Sequence, residues 1–461
     1  MKTTYHMKYI WLVSLVAAMG GLLFGYDWVV IGGAKPFYEK YFQLTSSFQI
    51  GWAMSSALAG CLIGAMLSGA LSDKFGRKRL LITAGFLFTL SAVGTALSHH
   101  FDLFVIYRLI GGVGIGLASA LSPMYIAEIA PAEIRGRFVS INQLTIVIGI
   151  LAAQLINWQI AQPVPENATA EFIRNSWNGQ VGWRWMFGAE TMPAFLFFAL
   201  MFVIPESPRW LVKNGKSNLA ATILTKVGGE TYSNVTMVHI QKTLENESKR
   251  VDFKELLHPK VMKILSVGIF LAVFQQWCGI NVIFNYAEEV FAQAGYGVSD
   301  ILLNIVITGA VNLIFTFVAI TTVDRWGRRI LMLTGSGGLA FIYILLGSGY
   351  FMGSQGIHML ILVVTAIACY AMSLAPVTWV IISEIFPNRI RGAALSIAVF
   401  FLWTACFILT YSFPFLNHHL GAAGTFWIYA GICVIGFIFI KTQLPETKGK
   451  TLEEIEKELT E

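Results

Sequence analysis

Charged side chains are scarce in this chain. Only 13% of its 461 residues are Asp, Glu, Lys or Arg, about half the share that is typical of soluble domains. Hydrophobic residues make up 56% of the sequence, and its mean hydropathy is +0.66. This composition excludes an ordinary soluble globular protein and indicates an integral membrane protein.

Groups that carry enzyme chemistry are also few. No nucleotide-binding loop, metal-ligand cluster or nucleophile with a matching base is recognisable, and GGVGIG at 111–116 lies inside an apolar stretch, where it favours helix packing. The cysteines have no paired spacing, which predicts neither a disulfide framework nor a metal site. We therefore expect no enzyme activity, no cofactor and no metal ion. The five cysteines are Cys61, Cys278, Cys369, Cys406 and Cys433.

Long apolar stretches are what the sequence has in abundance. A transmembrane helix needs roughly 20 mostly apolar residues, and twelve such stretches predict an all-α membrane protein with twelve transmembrane helices. They run over 9–31, 51–71, 80–98, 103–127, 138–160, 186–204, 264–285, 301–322, 330–351, 358–382, 393–413 and 424–443.

Three charged motifs occur twice along the chain, in the same order. The repetition predicts two six-helix bundles in tandem. Because each half has an even number of spans, corresponding motifs lie on the same membrane face, as in parallel repeats related by an axis along the membrane normal. The motif pairs are SDKFGRKR (72–79) with VDRWGRR (323–329), AEIAPAEIRGR (127–137) with SEIFPNRIRG (383–392), and PESPRW (205–210) with PETKGK (445–450).

The segment between the two halves is charged and has helical patches. We expect an N-terminal bundle at 1–204, a cytoplasmic helical linker at 205–260, a C-terminal bundle at 261–444 and a cytoplasmic tail at 445–461.

Basic residues follow every second span, which sets the orientation, because short cytoplasmic loops retain Lys and Arg. Both termini are therefore predicted to be cytoplasmic in a multi-pass plasma (inner) membrane protein. The net charge of +6 reflects this bias and gives no reason to expect nucleic acid. The basic side holds Lys74, Arg77, Lys78, Arg79, Arg135, Arg137, Arg325, Arg328, Arg329, Arg389 and Arg391, whereas the alternate loops hold only Lys35, Lys40, Arg174 and Arg184.

The sequence resembles the sugar porter family of the major facilitator superfamily over essentially its whole length, and in particular the bacterial D-xylose/proton symporters. Five motifs in this order and spacing carry the resemblance. From the N-terminus they are Gly69-x-x-x-Asp73-Lys74-x-Gly76-Arg77-Lys78, RLIGGVGIGLASALSPMYIAE (108–128), PESPRWL (205–211), FQQWCGIN (274–281) and PETKGKTLEE (445–454).

The charged motifs at helix ends can pair with one another and with helix termini. The resemblance implies that they form a cytoplasmic latch between the two halves; the simpler interpretation is that some are topology charges and caps. Gly69 is expected to allow close helix approach, and Ile320 at the equivalent position predicts a looser second latch. The latch residues are Gly69, Asp73, Arg77, Glu128, Arg135, Glu206, Arg328, Glu384 and Arg391.

Three ionisable residues lie within the apolar stretches, namely Asp27, Arg108 and Glu190. Such groups are costly in a membrane unless they are paired or hydrated, and they therefore mark function. A carboxylate that can pair with Arg108 or take up a proton would act as a switch. The resemblance implies that Asp27 is the proton acceptor of a symporter. Two alternatives stay open: Asp27 caps the outer end of the first helix, or it pairs permanently with Arg108; Glu190 could act through the latch.

Amide and indole groups suit sugar recognition, because amides both donate and accept hydrogen bonds and aromatic faces stack on sugar rings. The resemblance implies sugar contacts at Gln143, Gln275, Gln276, Asn281, Asn312 and Trp379, with weaker claims for Phe24 and Trp403. Taken one at a time, each of these residues could equally well hydrogen-bond one helix to another and have no contact with a sugar.

The sequence departs from the family in this set. Asn285 precedes Tyr286 where a tyrosine pair is common, and Leu402 and Cys406 stand where relatives often have amides. These departures are compatible with binding of a pentose, with binding of a hexose that lacks one hydroxyl, or with altered contacts to the same sugar.

These observations predict a monomeric, proton-coupled monosaccharide symporter that works by alternating access in a lipid bilayer. Its partners would be a xylose-, arabinose-, glucose- or galactose-type sugar and protons. A facilitative uniporter without proton coupling has the same fold, and Asp27 argues against it. A transporter-like sugar sensor is the third alternative, and such sensors normally carry a long cytoplasmic tail in addition to the transporter fold.

Overall fold

The computed structural model describes residues 5–165, 168–247, 258–386 and 391–446. Within these ranges the chain is almost entirely helical and contains no β-strand. The predicted tail from residue 447 and the C-terminal end of the predicted linker, 248–257, lie outside the described residues.

Ten α-helices and one π-helical turn occupy the described residues up to 247. They are α1 (Met7–Tyr41), α2 (Ser47–Phe75), α3 (Arg77–Leu97), α4 (Phe101–Ile129), α5 (Ala132–Ile160), α6 (Ala170–Asn175), the π turn (Asn178–Gly182), α7 (Trp183–Gly188), α8 (Thr191–Val203), α9 (Pro208–Lys213) and α10 (Ser217–Glu247).

The rest of the described chain holds eight further helices. They are α11 (Pro259–Trp277), α12 (Ile280–Asn285), α13 (Ala287–Gln293), α14 (Val298–Trp326), α15 (Arg328–Phe351), α16 (Ile357–Met372), α17 (Leu374–Ile385) and α18 (Arg391–Gln443).

The apolar stretches of the sequence reappear as eleven helical segments long and apolar enough to cross a membrane, counted over the described residues. The last of them, in α18, is interrupted at Gly421, where φ is 65° and ψ is 177°. This break separates the two C-terminal spans that the sequence predicts. The all-α membrane fold is therefore confirmed.

The first span is longer than predicted. Its apolar stretch ends near residue 31, but α1 continues to Tyr41. The assignment of Lys35 and Lys40 to a loop was therefore wrong: both lie in α1, and Lys35 is only 3% exposed. Lys35 can remain helical and buried because carboxylates surround its ammonium group.

The chain divides into two compact units. Unit 1 comprises 1–27, 59–150 and 187–250, and in it α3 packs on α4 and α8, and α9 on α10. Unit 2 comprises 28–58, 151–186 and 251–461, and in it α18 packs on α11 and α15. Since several spans are divided between the units, the two six-helix halves stay a prediction.

Close packing of α1 on α5 in unit 1 depends on two glycines. A Cβ at Gly25 would overlap the carbonyl oxygen of Ile146, and a Cβ at Gly149 would overlap that of Leu22. Both obstacles are backbone atoms, which cannot rotate away as a side chain can. The two helix backbones therefore touch, as small residues permit in membrane bundles.

We expect Gly149→Ala to lower the thermal unfolding temperature of the detergent-purified protein, because overpacking against a fixed backbone costs about 1–3 kcal/mol. Gly136→Ala is the matched control on the same helix, since a Cβ there meets no described atom within 4 Å. It should raise helix stability by about 0.5–1 kcal/mol. Equal effects of the two substitutions would contradict this account of the α1–α5 contact.

Candidate functional site

An ion pair lies in the interior of unit 1. Asp27 in α1 and Arg108 in α4 are each 2% exposed. The Nη1 group of Arg108 donates to Oδ1 of Asp27, and Nη2 donates to the Asp27 backbone oxygen at 3.3 Å. Because α1 runs from Met7 to Tyr41, Asp27 is not a cap at a helix end. The capping alternative is therefore wrong.

The second carboxylate oxygen of Asp27 is packed against α4. Oδ2 is buried and accepts no hydrogen bond from the described residues. A Cβ at Gly111 would lie 3.1 Å from this oxygen and would overlap the Ser91 hydroxyl. Glycine at this position of the GGVGIG stretch thus admits the carboxylate as well as allowing helices to pack.

Glu190 belongs to the same site. It lies between α7 and α8, is 3% exposed, and is close enough to interact electrostatically with both Asp27 and Arg108. Its Oε1 atom has no hydrogen-bond partner among the described residues. The guanidinium carbon of Arg108 also lies 5.5 Å from the centre of the Phe187 ring. Glu190 therefore accompanies the buried pair.

The charges of this site do not balance. One guanidinium faces two carboxylates in surroundings with little water, where an uncompensated charge is expensive. Uptake of a proton by either carboxylate would remove the excess negative charge. It would also weaken the electrostatic attraction between the carboxylates and the guanidinium of Arg108. The arrangement can therefore bind and release a proton.

A second charged cluster in unit 1 gathers most of the first predicted latch. Arg77 Nη2 donates to Glu128 Oε1 at 3.1 Å, and Nη1 donates to Asp73 Oδ1 at 3.2 Å. Glu206 Oε1 accepts from the backbone amides of Arg77 and Lys78, both at 3.0 Å. The Glu206 carboxylate therefore caps the N-terminus of α3, where helix dipole and free amides favour an anion.

The cap repeats in unit 2. Glu446 Oε1 accepts from the backbone amide of Arg328 at 2.9 Å, and Oε2 accepts from that of Arg329 at 3.1 Å. Arg328 Nη2 in turn donates to Glu384 Oε1 at 3.3 Å. The motif repeats of the sequence are thus repeats of one hydrogen-bonding unit.

Glycine precedes both capped helices. Gly76 has φ 96° and Gly327 has φ 92°, values that side chains rarely adopt. A Cβ on Gly76 would overlap Glu206, and one on Gly327 would lie 2.6 Å from Glu446. In each motif the glycine therefore forms the turn, and the arginine that follows it provides the backbone amide that the glutamate caps.

Among the other predicted latch residues, Gly69 differs from expectation, Arg135 has other neighbours, and Arg391 stays a prediction. A Cβ at Gly69 would meet no atom within 4 Å among the described residues, so the expected close helix approach at Gly69 is absent. Arg135 is exposed, and its electrostatic neighbours in the described chain include Glu133 and Tyr232. Arg391 begins α18, and its side chain lies outside the described residues.

A chain of buried amides lies in unit 2, where the helix breaks after FQQWCG. Gln276 Nε2 donates to Gln275 Oε1 at 3.0 Å, and Asn281 Nδ2 donates to Gln276 Oε1 at 2.5 Å. Gln275 Nε2 reaches the Ala375 carbonyl oxygen at 3.4 Å, beside the second break, at Ser373. Two interrupted helices thus bring the predicted amides together.

The other predicted sugar contacts are distributed over both units. Asn285, Asn312 and Trp403 are buried in unit 2, and Oδ1 of Asn285 has no hydrogen-bond partner among the described residues. The Trp403 ring lies 5.8 Å from that of Trp28, centre to centre. Trp379 is 38% exposed. The remaining two, Phe24 and Gln143, are partly buried in unit 1.

Two buried polar residues of α5 escaped the sequence analysis. Gln154 and Asn157 are each 1% exposed, and Asn157 Nδ2 donates to the Val30 carbonyl oxygen at 3.0 Å. Neither amide atom of Gln154 has a hydrogen-bond partner in the described chain. An amide inside an apolar stretch is the signal that would have identified both.

Long apolar helices, repeated charged caps and a buried, unbalanced ion pair together define a secondary membrane transporter. The model of the family described as "Sugar (and other) transporter" matches residues 13–459. The chain belongs to this family, so the resemblance inferred from the motifs is confirmed, and it is a transporter, not an enzyme.

Named relatives align over almost the whole chain. The arabinose-proton symporter of Bacillus subtilis (strain 168) is 41% identical and covers 98% of this chain and 96% of its own length. The D-xylose-proton symporter of Escherichia coli (strain K12) is 40% identical, with 99% and 97% covered. The solved partially occluded inward open conformation of the xylose transporter XylE from E. coli is 39% identical and has a TM-score of 0.84, covering 96% of this chain and 100% of that one.

We expect Glu206→Gln to destabilise unit 1, because an amide holds the backbone amides of Arg77 and Lys78 less strongly than a carboxylate does. The expected loss is about 1 kcal/mol, the usual value of a helix cap. Glu230→Gln, an exposed glutamate of α10, is the control. Thermal unfolding measures both, and a loss from Glu230→Gln as large as that from Glu206→Gln would contradict the capping role.

Proposed function

We propose that this chain imports a monosaccharide together with protons. The carrier would act as a monomer in the plasma (inner) membrane, with both termini cytoplasmic. The single observation that carries the proposal is the buried Asp27–Arg108 pair accompanied by Glu190, in a chain whose relatives include arabinose-proton and D-xylose-proton symporters.

Proton coupling would proceed through Arg108. With Asp27 ionised, the two hydrogen bonds from the guanidinium hold α1 to α4. A proton on the carboxylate removes the charge attraction, so that Arg108 is released to Glu190 or to a new position. Movement of the loaded carrier would follow this release, which links sugar movement to proton binding.

The sugar would bind at the amide chain of unit 2. Gln275, Gln276 and Asn281 offer both donors and acceptors beside two helix breaks. Hydroxyls of a pentose or hexose would replace hydrogen bonds that the amides now make with one another. Asn312, Asn285, Trp379 and Trp403, together with Phe24 and Gln143 of unit 1, complete the proposed set.

The latch residues would stabilise one state of the transport cycle. Arg77 with Glu128, and Arg328 with Glu384, pair charges at helix ends within each unit. Asp73 and Glu206 belong to the same proposed role. Arg135 and Arg391 are included in it on the family resemblance alone, and Gly69 is left out because a Cβ there would meet no described atom within 4 Å.

Asp27→Asn should abolish sugar accumulation driven by an inward proton gradient while sugar exchange down its own gradient persists, because the amide cannot exchange a proton. Concentrative uptake and counterflow in proteoliposomes measure the two activities. Asp102→Asn, an exposed aspartate of α4, is the matched control and should accumulate sugar normally. If Asp27→Asn still accumulates sugar, coupling lies elsewhere; if the unaltered protein never accumulates it, the chain is a facilitative uniporter.

Gln276→Ala and Asn281→Ala should each weaken sugar binding by about 1–3 kcal/mol, equivalent to about five- to 150-fold in Kd, because a buried hydroxyl loses its hydrogen bond. Isothermal titration with xylose, arabinose, glucose and galactose measures the change and identifies the sugar. Gln293→Ala, an exposed amide in unit 2, serves as the control. Unchanged affinity in both variants would remove these residues from the binding site.

A further inference from the structure

A buried lysine with three carboxylates lies in unit 2, apart from the residues assigned above. Lys35 Nζ is 2.6 Å from Glu39 Oε2, 2.9 Å from Glu288 Oε2 and 2.7 Å from Glu289 Oε1. Lys35 and Glu39 are one turn apart in α1, whereas the other two glutamates begin α13. We call these four residues the Lys35 cluster.

Hydrogen bonding in the Lys35 cluster leaves one buried oxygen without a partner among the described residues. The ammonium group has three donors, and three carboxylates lie within reach of it. The second oxygen of Glu39 pairs with Lys40 at 2.9 Å. Oε2 of Glu289 is buried and has no hydrogen-bond partner among the described residues. This oxygen is therefore where a proton would best be held.

The charges of the cluster lead to the same conclusion. With every group ionised, one lysine would face three carboxylates, and Lys40 at the edge would still leave excess negative charge. Among the described residues, the other titratable groups that interact electrostatically with the cluster are Tyr38 of α1 and Tyr286, which precedes α13; neither supplies a positive charge. A buried carboxylate that is surrounded by too little positive charge favours its neutral, protonated form.

We propose that the Lys35 cluster is a second proton-binding site, in which Oε2 of Glu289 takes up one proton. The bound proton removes one negative charge and leaves the contacts of Lys35 in place, so that protonation strengthens the connection between α1 and α13. Under the proposed orientation this end of α1 faces the cell exterior, whose pH would set the occupancy of the site. The proton site at Asp27 is separate, and the two inferences can fail independently.

Burial, together with the neighbouring Glu288, raises the pKa of Glu289 to about 7 against the attraction of Lys35, from an ordinary value of 4.5. A carboxyl whose pKa is raised on folding stabilises the folded protein fully below the unfolded value, and this stabilisation is lost as the pH rises through the folded value. The contribution of Glu289 should therefore decline from pH 4.5 to about pH 7.

The test measures thermal unfolding of the full-length protein in detergent from about pH 5 to about pH 9. Every variant also carries Asp27→Asn, which removes the Asp27 carboxyl, the proton acceptor of the first proposed site. The parent should lose stability in a step near neutral pH, and Glu289→Gln should abolish this step. The exposed Glu171→Gln is the control and should keep it.

Glu288→Gln provides a second, independent readout. It leaves the contact between Lys35 and Glu289 in place but removes the negative charge that raises the Glu289 pKa, so the step should move to lower pH. This variant also keeps the proposal testable if Glu289→Gln does not fold. A parent without the step, a step that survives Glu289→Gln, or an unmoved step in Glu288→Gln would each overturn the proposal.

Discussion

The cost of burying unbalanced charge in an apolar bundle is the constraint on which the functional parts of this protein depend. Arg108 can be 2% exposed only because Asp27 accepts its hydrogen bonds. Glu190 then adds a carboxylate that the single guanidinium cannot fully compensate. A proton taken up by either carboxylate would remove the excess negative charge, and this is the property that the proposed coupling requires.

The same constraint explains the charged helix ends. At the start of α3 and again at the start of α15, a glycine turn is followed by an arginine whose backbone amide binds a glutamate from a distant part of the chain. Each arginine side chain reaches a further glutamate. The two units therefore hold the same arrangement of a glycine, an arginine and two glutamates, in which each charged side chain lies near an opposite charge or a helix N-terminus.

Breaks in helices supply the polar groups that a continuous apolar helix cannot offer. The interruption at Gly279 separates α11 from α12 and lies between Gln276 and Asn281, whose side chains meet across it. Gln275 reaches the carbonyl oxygen of Ala375 in the first helical turn after the interruption at Ser373. Irregular backbone is tolerated at membrane depth only where protein groups or a polar cavity satisfy it, so these breaks favour a binding role for the amides beside them.

Composition and motif order by themselves determined the membrane class, the apolar spans, the repeats and the family, because these depend on hydrophobic length and local spacing. The sequence also drew attention to Asp27, Arg108 and Glu190 through their rarity in apolar stretches. Only the tertiary structure decided that Glu190 joins that pair, that Gly69 lacks a close helix contact, and that Lys35 is helical and buried. These outcomes depend on which groups distant segments bring together, and a charged residue near a helix end has the same local sequence whether it faces water or a buried carboxylate.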